Sequence, residues 1–257
     1  MRLIDLSSAI DAQSWEPEPV SLATMSAAEG ARHLSSEMRE HFGLEFNASA
    51  LPDGEFLTND TLSLTTHTGT HVDAPAHYGS TAAYGTPRTI DEMPLEWFYR
   101  PGVVLDLGAL DIGVADAGHL KAEFDRVGYT PAPLDIVLLR TGASRWAGTQ
   151  RYFTDFVGLD CSAVNLLLDY GVQVIGTDAF SLDAPFTYII ERYRETGDDR
   201  FLWPAHMTGR QREFCQIERL SNLELLPRPY GFTVSCFPVK IAGAGAGWAR
   251  AVALLND

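Results

Sequence analysis

Three histidines and an aspartate fall within the eleven residues His67-Thr-Gly-Thr-His71-Val-Asp73-Ala-Pro-Ala-His77. Imidazole nitrogens with a carboxylate oxygen are a donor set for a divalent transition metal. Geometry limits how these groups can meet. On a straight strand His67, His71 and Asp73 share one face, because their separations are even. His67 and His71 would then stand about 13 Å apart at ~3.3 Å per residue, too far for one ion. A helix would bring them one turn apart, but a Thr-rich stretch with Gly69 and Pro75 makes a poor helix. The consistent reading is a strand that bends sharply at Gly69 and folds both imidazoles around one ion. Pro75 stiffens the exit and sets where His77 points. A polar loop whose histidines bond only to backbone is the competing account. Three histidines and an aspartate around a glycine hinge favour the metal.

Four other histidines are spread along the chain. His33 and His41 lie on a predicted helix among charged residues and read as solvated. His119 follows Gly118 at a helix start and reads as a surface or cap residue. His206 follows Trp203-Pro204 in a weakly periodic stretch, where a loop can present a ligand. Other chemistries find little support. Thr141-Gly142-Ala143-Ser144-Arg145 lacks the second glycine of a serine-hydrolase elbow. The run Gly243-Ala244-Gly245-Ala246-Gly247 has no downstream ribose-binding acid, so it reads as a close-packed turn near the site and not as a nucleotide loop.

The elements that must position these groups alternate in type. Met1 to Ser7 is a short strand. Residues 26–42 are a helix with Ser26 as N-cap, Glu29 closing a capping box and Gly43 ending it. Residues 61–73 alternate, with Leu62, Leu64 and Val72 on one face. GVVLDLG (102–108), DIVLLRTG (135–142) and VQVIGTD (172–178) are apolar runs of strands covered on both faces. Leu159 to Tyr170 is helical. FTVSCFPVKI (232–241) is a late strand with Pro238 at an edge or bulge. Such alternation predicts an α/β fold with a mixed, largely parallel sheet or barrel-like core and flanking helices. Residues 44–60 and 186–211 are weakly periodic and read as binding loops or dimer contacts. No linker or repeat interrupts the chain, so residues 1–257 are expected to form a single domain.

The composition is that of a globular protein: 257 residues, 46% hydrophobic and 21% charged. Nineteen basic against 34 acidic residues leave a formal net charge of −15. That charge repels phosphate backbones and anionic lipid, which argues against nucleic-acid and membrane partners. Cys161, Cys215 and Cys236 are too few and too scattered for a disulfide framework, and fit reduced thiols in a cytoplasmic protein. The N-terminal residues lack the apolar core of a signal peptide.

The motif HTGTHVDAPAH resembles the signature of the metal-dependent cyclase-like hydrolases, the family of bacterial kynurenine formamidases and isatin hydrolases. Further segments match in order: IDLSSAID (4–11), DIVLLRTG (135–142), GTDAFSLD (176–183), the region from His206 through Glu218 to Asn222-Leu223, and PVKIAGAGAGWARAVAL (238–254). The likeness implies a swivelling β/β/α fold and a small-molecule substrate. It implies that His67, His71 and Asp73 hold a metal, with Asp73 bridging to a second ion completed by His206 and Glu218. One or two ions of Mn²⁺ or Zn²⁺ per chain follow, and His77 becomes the general acid/base. A divalent ion lowers the pKa of its water towards ~7, which makes a nucleophile at neutral pH. Ala246-Gly247-Trp248 stands where kynurenine formamidases carry Gly-Ser-Pro, and this Trp version looks more like the isatin hydrolases. The expected activity is opening of a C–N amide bond in a small cyclic or aryl amide, an isatin-like lactam first. An arylformamidase acting on N-formylkynurenine, or a lactone hydrolase or cyclase, is the alternative. The resemblance also implies a homodimer or higher homo-oligomer. Trp15, Phe46, Phe56, Trp97 and Trp203 are available to line an aromatic pocket.

Overall fold

The computed structural model describes residues 1–255. In chain order the strands are β1 (Arg2–Asp5), β2 (Ser21–Met25), β3 (Asn59–Ser63), β4 (His71–Asp73), β5 (Tyr99–Asp106), β6 (Gly113–Ala115), β7 (Ile136–Arg140), β8 (Val157–Leu159), β9 (Val174–Thr177), β10 (Cys215–Glu218), β11 (Tyr230–Ser235), β12 (Ala246–Trp248) and β13 (Val252–Leu255). The helices are α1 (Ala27–Phe42), α2 (Ala117–Val127), α3 (Gln150–Thr154), α4 (Cys161–Asp169), α5 (Phe186–Thr196) and α6 (Pro204–Thr208). The chain divides into two compact units, one of residues 11–13 and 17–65, the other of all the rest.

The larger unit is built on a nine-stranded sheet in the order β1-β13-β11-β5-β7-β9-β10-β4-β12, curled into a half-barrel with flanking helices. The α/β fold with a mixed sheet is therefore present. Parallel pairing is confined to the four central strands β5, β7, β9 and β10, and both flanks are antiparallel. The central strands read as continuous apolar runs because both faces are covered. Val103, Leu105, Val137, Leu139 and Ile175 pack with Leu120 and Phe124 of α2 and Val164, Leu167 and Leu168 of α4. Their neighbours Val104, Ile136, Leu138 and Val174 point the other way, into a core shared with Ile4, Phe232, Val234, Ala253 and Leu255. Each such leucine or isoleucine contributes ~1.5–3 kcal/mol on burial. Two boundaries shift from expectation. Leu159 ends β8, and its helix starts only at Cys161, where Asp160 caps α4 through the Ala163 amide. The stretch 186–211 is not an open loop, since it contains α5 and α6. Only Ile189 of α5 is buried, which explains its faint periodicity.

The smaller unit is a ribbon of β2 and β3, two 3₁₀ turns and α1. Ser26 and Glu29 form the expected reciprocal capping box, and Gly43 closes α1 at φ 64°. Gly30 lies so close to the Leu57 carbonyl that a Cβ there would sit 2.0 Å from its oxygen. In the ribbon Leu22 pairs with Leu62, so the alternating stretch 61–73 belongs to two separate strands. Among the described residues no helix is long and apolar enough to cross a membrane. The three cysteines are free, Cys215 and Cys236 buried and Cys161 exposed.

Candidate metal centre and active site

The bend expected at Gly69 is present, with φ at +65°, where glycine costs nothing. Hydrogen bonds pin the turn. Thr70 Oγ1 donates to the Arg219 carbonyl at 2.6 Å and accepts from the Ser8 amide at 2.8 Å, and the Thr70 carbonyl accepts from Ala249. The turn delivers β4 between β10 and β12 with a fixed register. Asp73 lies opposite Gln216 and Ala246, and His71 opposite Glu218 and Trp248. Residues directly opposite share a face of the sheet, so His71, Asp73, Gln216 and Glu218 all project to one side. Val72 and Ile217 alternate into the core behind them.

The neighbouring segments add the remaining groups. The turn brings the His67 ring within 5.0 Å of the His71 ring, centre to centre, and its Nδ1 to 3.0 Å from Asp73 Oδ1. Beyond Ala74 the 3₁₀ turn Pro75–Tyr78 swings His77 back, with Nε2 3.9 Å from Asp73 Oδ2 and its ring 4.3 Å from that of His67. Gly245 lies against this turn; its carbonyl accepts from Ala74, and a Cβ there would meet the His77 backbone at 3.3 Å. The glycine run at 243–247 is thus the close-packed turn expected from sequence. Helix α6 supplies His206, whose ring stands 5.4 Å from that of His77.

All six residues singled out in the sequence therefore meet in one place. Two sets of donor atoms lie within 4.8 Å of one another: His67, Asp73 and His77, and His71, Asp73 and Glu218. His206 stands beside the second set, its Nε2 3.9 Å from Glu218 Oε1. Glu218 is buried on a strand, whereas an isolated glutamate is more often exposed on a helix. Two atoms decide whether this set fits a metal. His71 Nε2 and Asp73 Oδ1 are buried and lack a well-aligned hydrogen bond, with only the imidazole nitrogens of His67 and His71 near that oxygen, at 3.0 and 3.4 Å, a costly arrangement unless a further group binds them. Nitrogen and carboxylate donors converging with unsatisfied lone pairs fit a divalent cation.

Gln216 was not legible as a site residue. Its side-chain nitrogen lies 2.8 Å from Asp73 Oδ2, 2.8 Å from His206 Nε2 and 3.0 Å from Glu218 Oε1. The one available signal was its position two residues before Glu218, on the same strand face. Asp183 was missed as well, and it accepts hydrogen bonds from the Ala205 and His206 amides and from His206 Nδ1.

The charges explain one another. Burial works against ionising Asp73, but the imidazoles of His71 and His67 outweigh it and hold the carboxyl well below its usual range. Burial and the neighbouring Asp73 charge push Glu218 upward. His77 is pulled down to about 4 by burial, against the attraction of Asp73, so its ring is neutral at neutral pH. Burial lowers His206, and its hydrogen bond to Asp183 more than reverses this, to about 9.

The other expectations resolve simply. His33 and His41 are exposed beside Glu37 on α1. His119 caps α2 with Asp116. Trp15 and Trp203 stand against Phe153 and Phe186, Trp97 lies beneath Arg88, and Phe46 and Phe56 belong to the smaller unit.

Comparison with known proteins agrees with this geometry. Residues 4–184 match the family model described as Cyclase. A kynurenine formamidase of Salinibacter ruber is 30% identical over 192 residues, 74% of this chain and 77% of that protein. Isatin hydrolase A of Labrenzia aggregata superposes with a TM-score of 0.73 at 22% identity, covering 100% of this chain and 94% of that one. Isatin hydrolase A of Ralstonia solanacearum gives 0.73 at 23% identity, covering 99% and 92%; these two likenesses speak for the fold alone. From its own sequence match and the shared signature, the chain belongs to the cyclase family of metal-dependent hydrolases.

Proposed function

We propose that this protein is a divalent-metal-dependent hydrolase that opens the C–N bond of a small cyclic or aryl amide. The observation that carries this reading is the pair of buried atoms without well-aligned hydrogen bonds, His71 Nε2 and Asp73 Oδ1, beside a neutral His77. His67, His71 and Asp73 would hold the ion, Mn²⁺ or Zn²⁺. Such an ion supplies Lewis acidity, polarising the amide carbonyl and acidifying water. His77 Nε2, neutral and partly open to solvent, takes the proton of the attacking water. It returns that proton to the leaving nitrogen as the C–N bond breaks. Asp73, 3.9 Å away, stabilises the imidazolium between those two steps. The register places Trp248 on the same sheet face as His71, where an apolar wall suits an aryl substrate.

One ion per chain is the favoured stoichiometry. His206 and Glu218 can complete a second site with Asp73 only if the Gln216 amide leaves the position it takes among all three. We also propose that the two units serve one function and that the protein is a cytoplasmic homodimer. Leu22 and Leu62 face each other on a thin ribbon and stay 52% and 51% exposed, and two-stranded ribbons are marginal alone.

An isatin-like lactam is the first candidate substrate, because Trp248 replaces the formamidase pattern. N-formylkynurenine is the second, on the strength of the kynurenine formamidase match. The test is turnover of both compounds side by side, with Mn²⁺- or Zn²⁺-loaded enzyme and a chelator-stripped control. Metal-dependent turnover of either supports the reaction class, and the preferred substrate decides between the readings. Turnover of neither by the loaded enzyme would overturn both substrate assignments.

A further inference from the structure

Asp183 touches none of the atoms that would meet a metal or substrate, yet it is buried and fully engaged. Its Oδ1 accepts from the Ala205 amide at 2.7 Å, and its Oδ2 accepts from the His206 amide at 3.0 Å and from His206 Nδ1. Pro204 begins α6 and has no N–H, so one carboxylate satisfies the next two amides of the helix together with the ring that the helix carries. The position is prepared from behind. A Cβ on Gly158 would lie 2.1 Å from the Asp183 carbonyl carbon and 2.2 Å from the Ala184 nitrogen, so only glycine lets the Asp183 backbone approach β8 this closely.

The other edge of the imidazole continues the chain of contacts. His206 Nε2 meets the Gln216 side-chain nitrogen at 2.8 Å. That nitrogen also faces two carboxylates, Asp73 Oδ2 and Glu218 Oε1. Only the NH₂ end of an amide can face two carboxylate oxygens, which fixes which end of Gln216 points there. A proton on His206 Nε2 would then point at an N–H donor. When the ring is neutral, the proton it keeps is therefore the one on Nδ1, where Asp183 accepts it. Gln216 Oε1 is left buried and without a hydrogen bond.

We propose that Asp183 is a positioning residue. In the neutral ring, holding the proton on Nδ1 leaves Nε2 an acceptor. Nε2 then shares the two N–H groups of Gln216 with Asp73 and Glu218, which keeps the amide nitrogen towards them and its oxygen unspent beside them. The chain Asp183–His206–Gln216–Asp73 thus sets the orientation of the carboxylate on which the proposed metal centre depends. This inference rests on the reading of Asp73 as part of that centre. Groups that orient a metal-ligating side chain lower metal affinity ~10–100-fold when lost; Gln216 stands in that place to Asp73, and Asp183 acts on it through His206.

The test has two parts. The first is a ¹⁵N-resolved imidazole spectrum of the metal-free wild-type protein, recorded with the His206 ring neutral. The expected result is the Nδ1–H tautomer, and an Nε2–H ring would overturn the proposal. The second is Mn²⁺ affinity by chelator competition for Asp183→Ala and Asp183→Asn. The alanine variant should lose the tautomer preference and bind Mn²⁺ ~10–100-fold more weakly. The asparagine, which keeps one acceptor for Nδ1–H, should recover most of both. Unchanged tautomer and affinity in the alanine variant would contradict the proposal. Should the alanine variant fail to fold, the wild-type spectrum and the asparagine variant decide. Wild-type protein that shows the Nδ1–H tautomer but binds no Mn²⁺ would sink the metal reading and leave the tautomer assignment standing.

Discussion

At the scale of single residues the proposed site separates into groups that would hold an ion and one that would transfer protons. His77 reaches the centre from a 3₁₀ turn and keeps about a third of its side chain open to solvent (32%), whereas His71 and Asp73 are wholly buried. His77→Ala is therefore expected to retain bound metal while turnover falls ~10²–10⁴-fold, the usual worth of a positioned acid/base. Metal analysis alongside kinetics checks this, and loss of metal would make His77 a ligand. Asp73→Ala has the opposite signature, because its oxygens face both donor sets. Metal content should drop with activity, and a variant with wild-type metal content would remove Asp73 from the centre. The depressed His77 also predicts a pH profile. A base must be unprotonated, and burial holds this imidazole near 4. Followed by NMR in the metal-free protein, the His77 ring should stay neutral as pH falls past the ordinary imidazole range near ~6.5, and gain its proton only towards pH ~4. Protonation of His77 at 6.5 or above would contradict the assignment.

At the scale of elements, close backbone approaches hold the geometry. Gly158→Ala puts a methyl group 2.1–2.4 Å from the Asp183 and Ala184 backbone, and a peptide unit cannot yield as a flexible side chain can. The variant should lose ~1–3 kcal/mol of stability, read as a lowered melting temperature; a wild-type melting curve would show that β8 has room to shift. These elements also mark what was readable in advance. The bend at Gly69 was legible because only a bend brings His67 and His71 together, and the apolar runs of β5, β7 and β9 were legible because both their faces are covered. His206 was locally legible only as a histidine that a loop could present, and its pairing with Glu218 came only by family likeness, since nothing local ties an imidazole on α6 to a carboxylate on β10. Gln216 and Asp183 stayed hidden for the same reason. Their partners lie 143 and 23 residues away in sequence, and a glutamine or an aspartate carries no local pattern for such a role. The antiparallel flanks of the sheet were missed because strand direction is set by long-range pairing, not by composition.

At the scale of the whole molecule, acidity and the exposed ribbon matter most. The net charge of −15 suits the proposed divalent cation and disfavours polyanionic ligands. The Leu22 and Leu62 pair predicts association. Sedimentation should give twice the 28.2 kDa chain mass, and Leu62→Lys should shift the protein towards monomer by placing charge where the proposed partner would cover the ribbon. A wild-type protein that sediments as a monomer would contradict the dimer. The central claim is that hydrolysis depends on a divalent ion held by His67, His71 and Asp73. It is tested most directly by following amide turnover and bound metal together while a chelator strips the enzyme and Mn²⁺ is returned. The two should fall together and recover together, with full activity at one ion per chain. Turnover that persists after the metal has gone would contradict it.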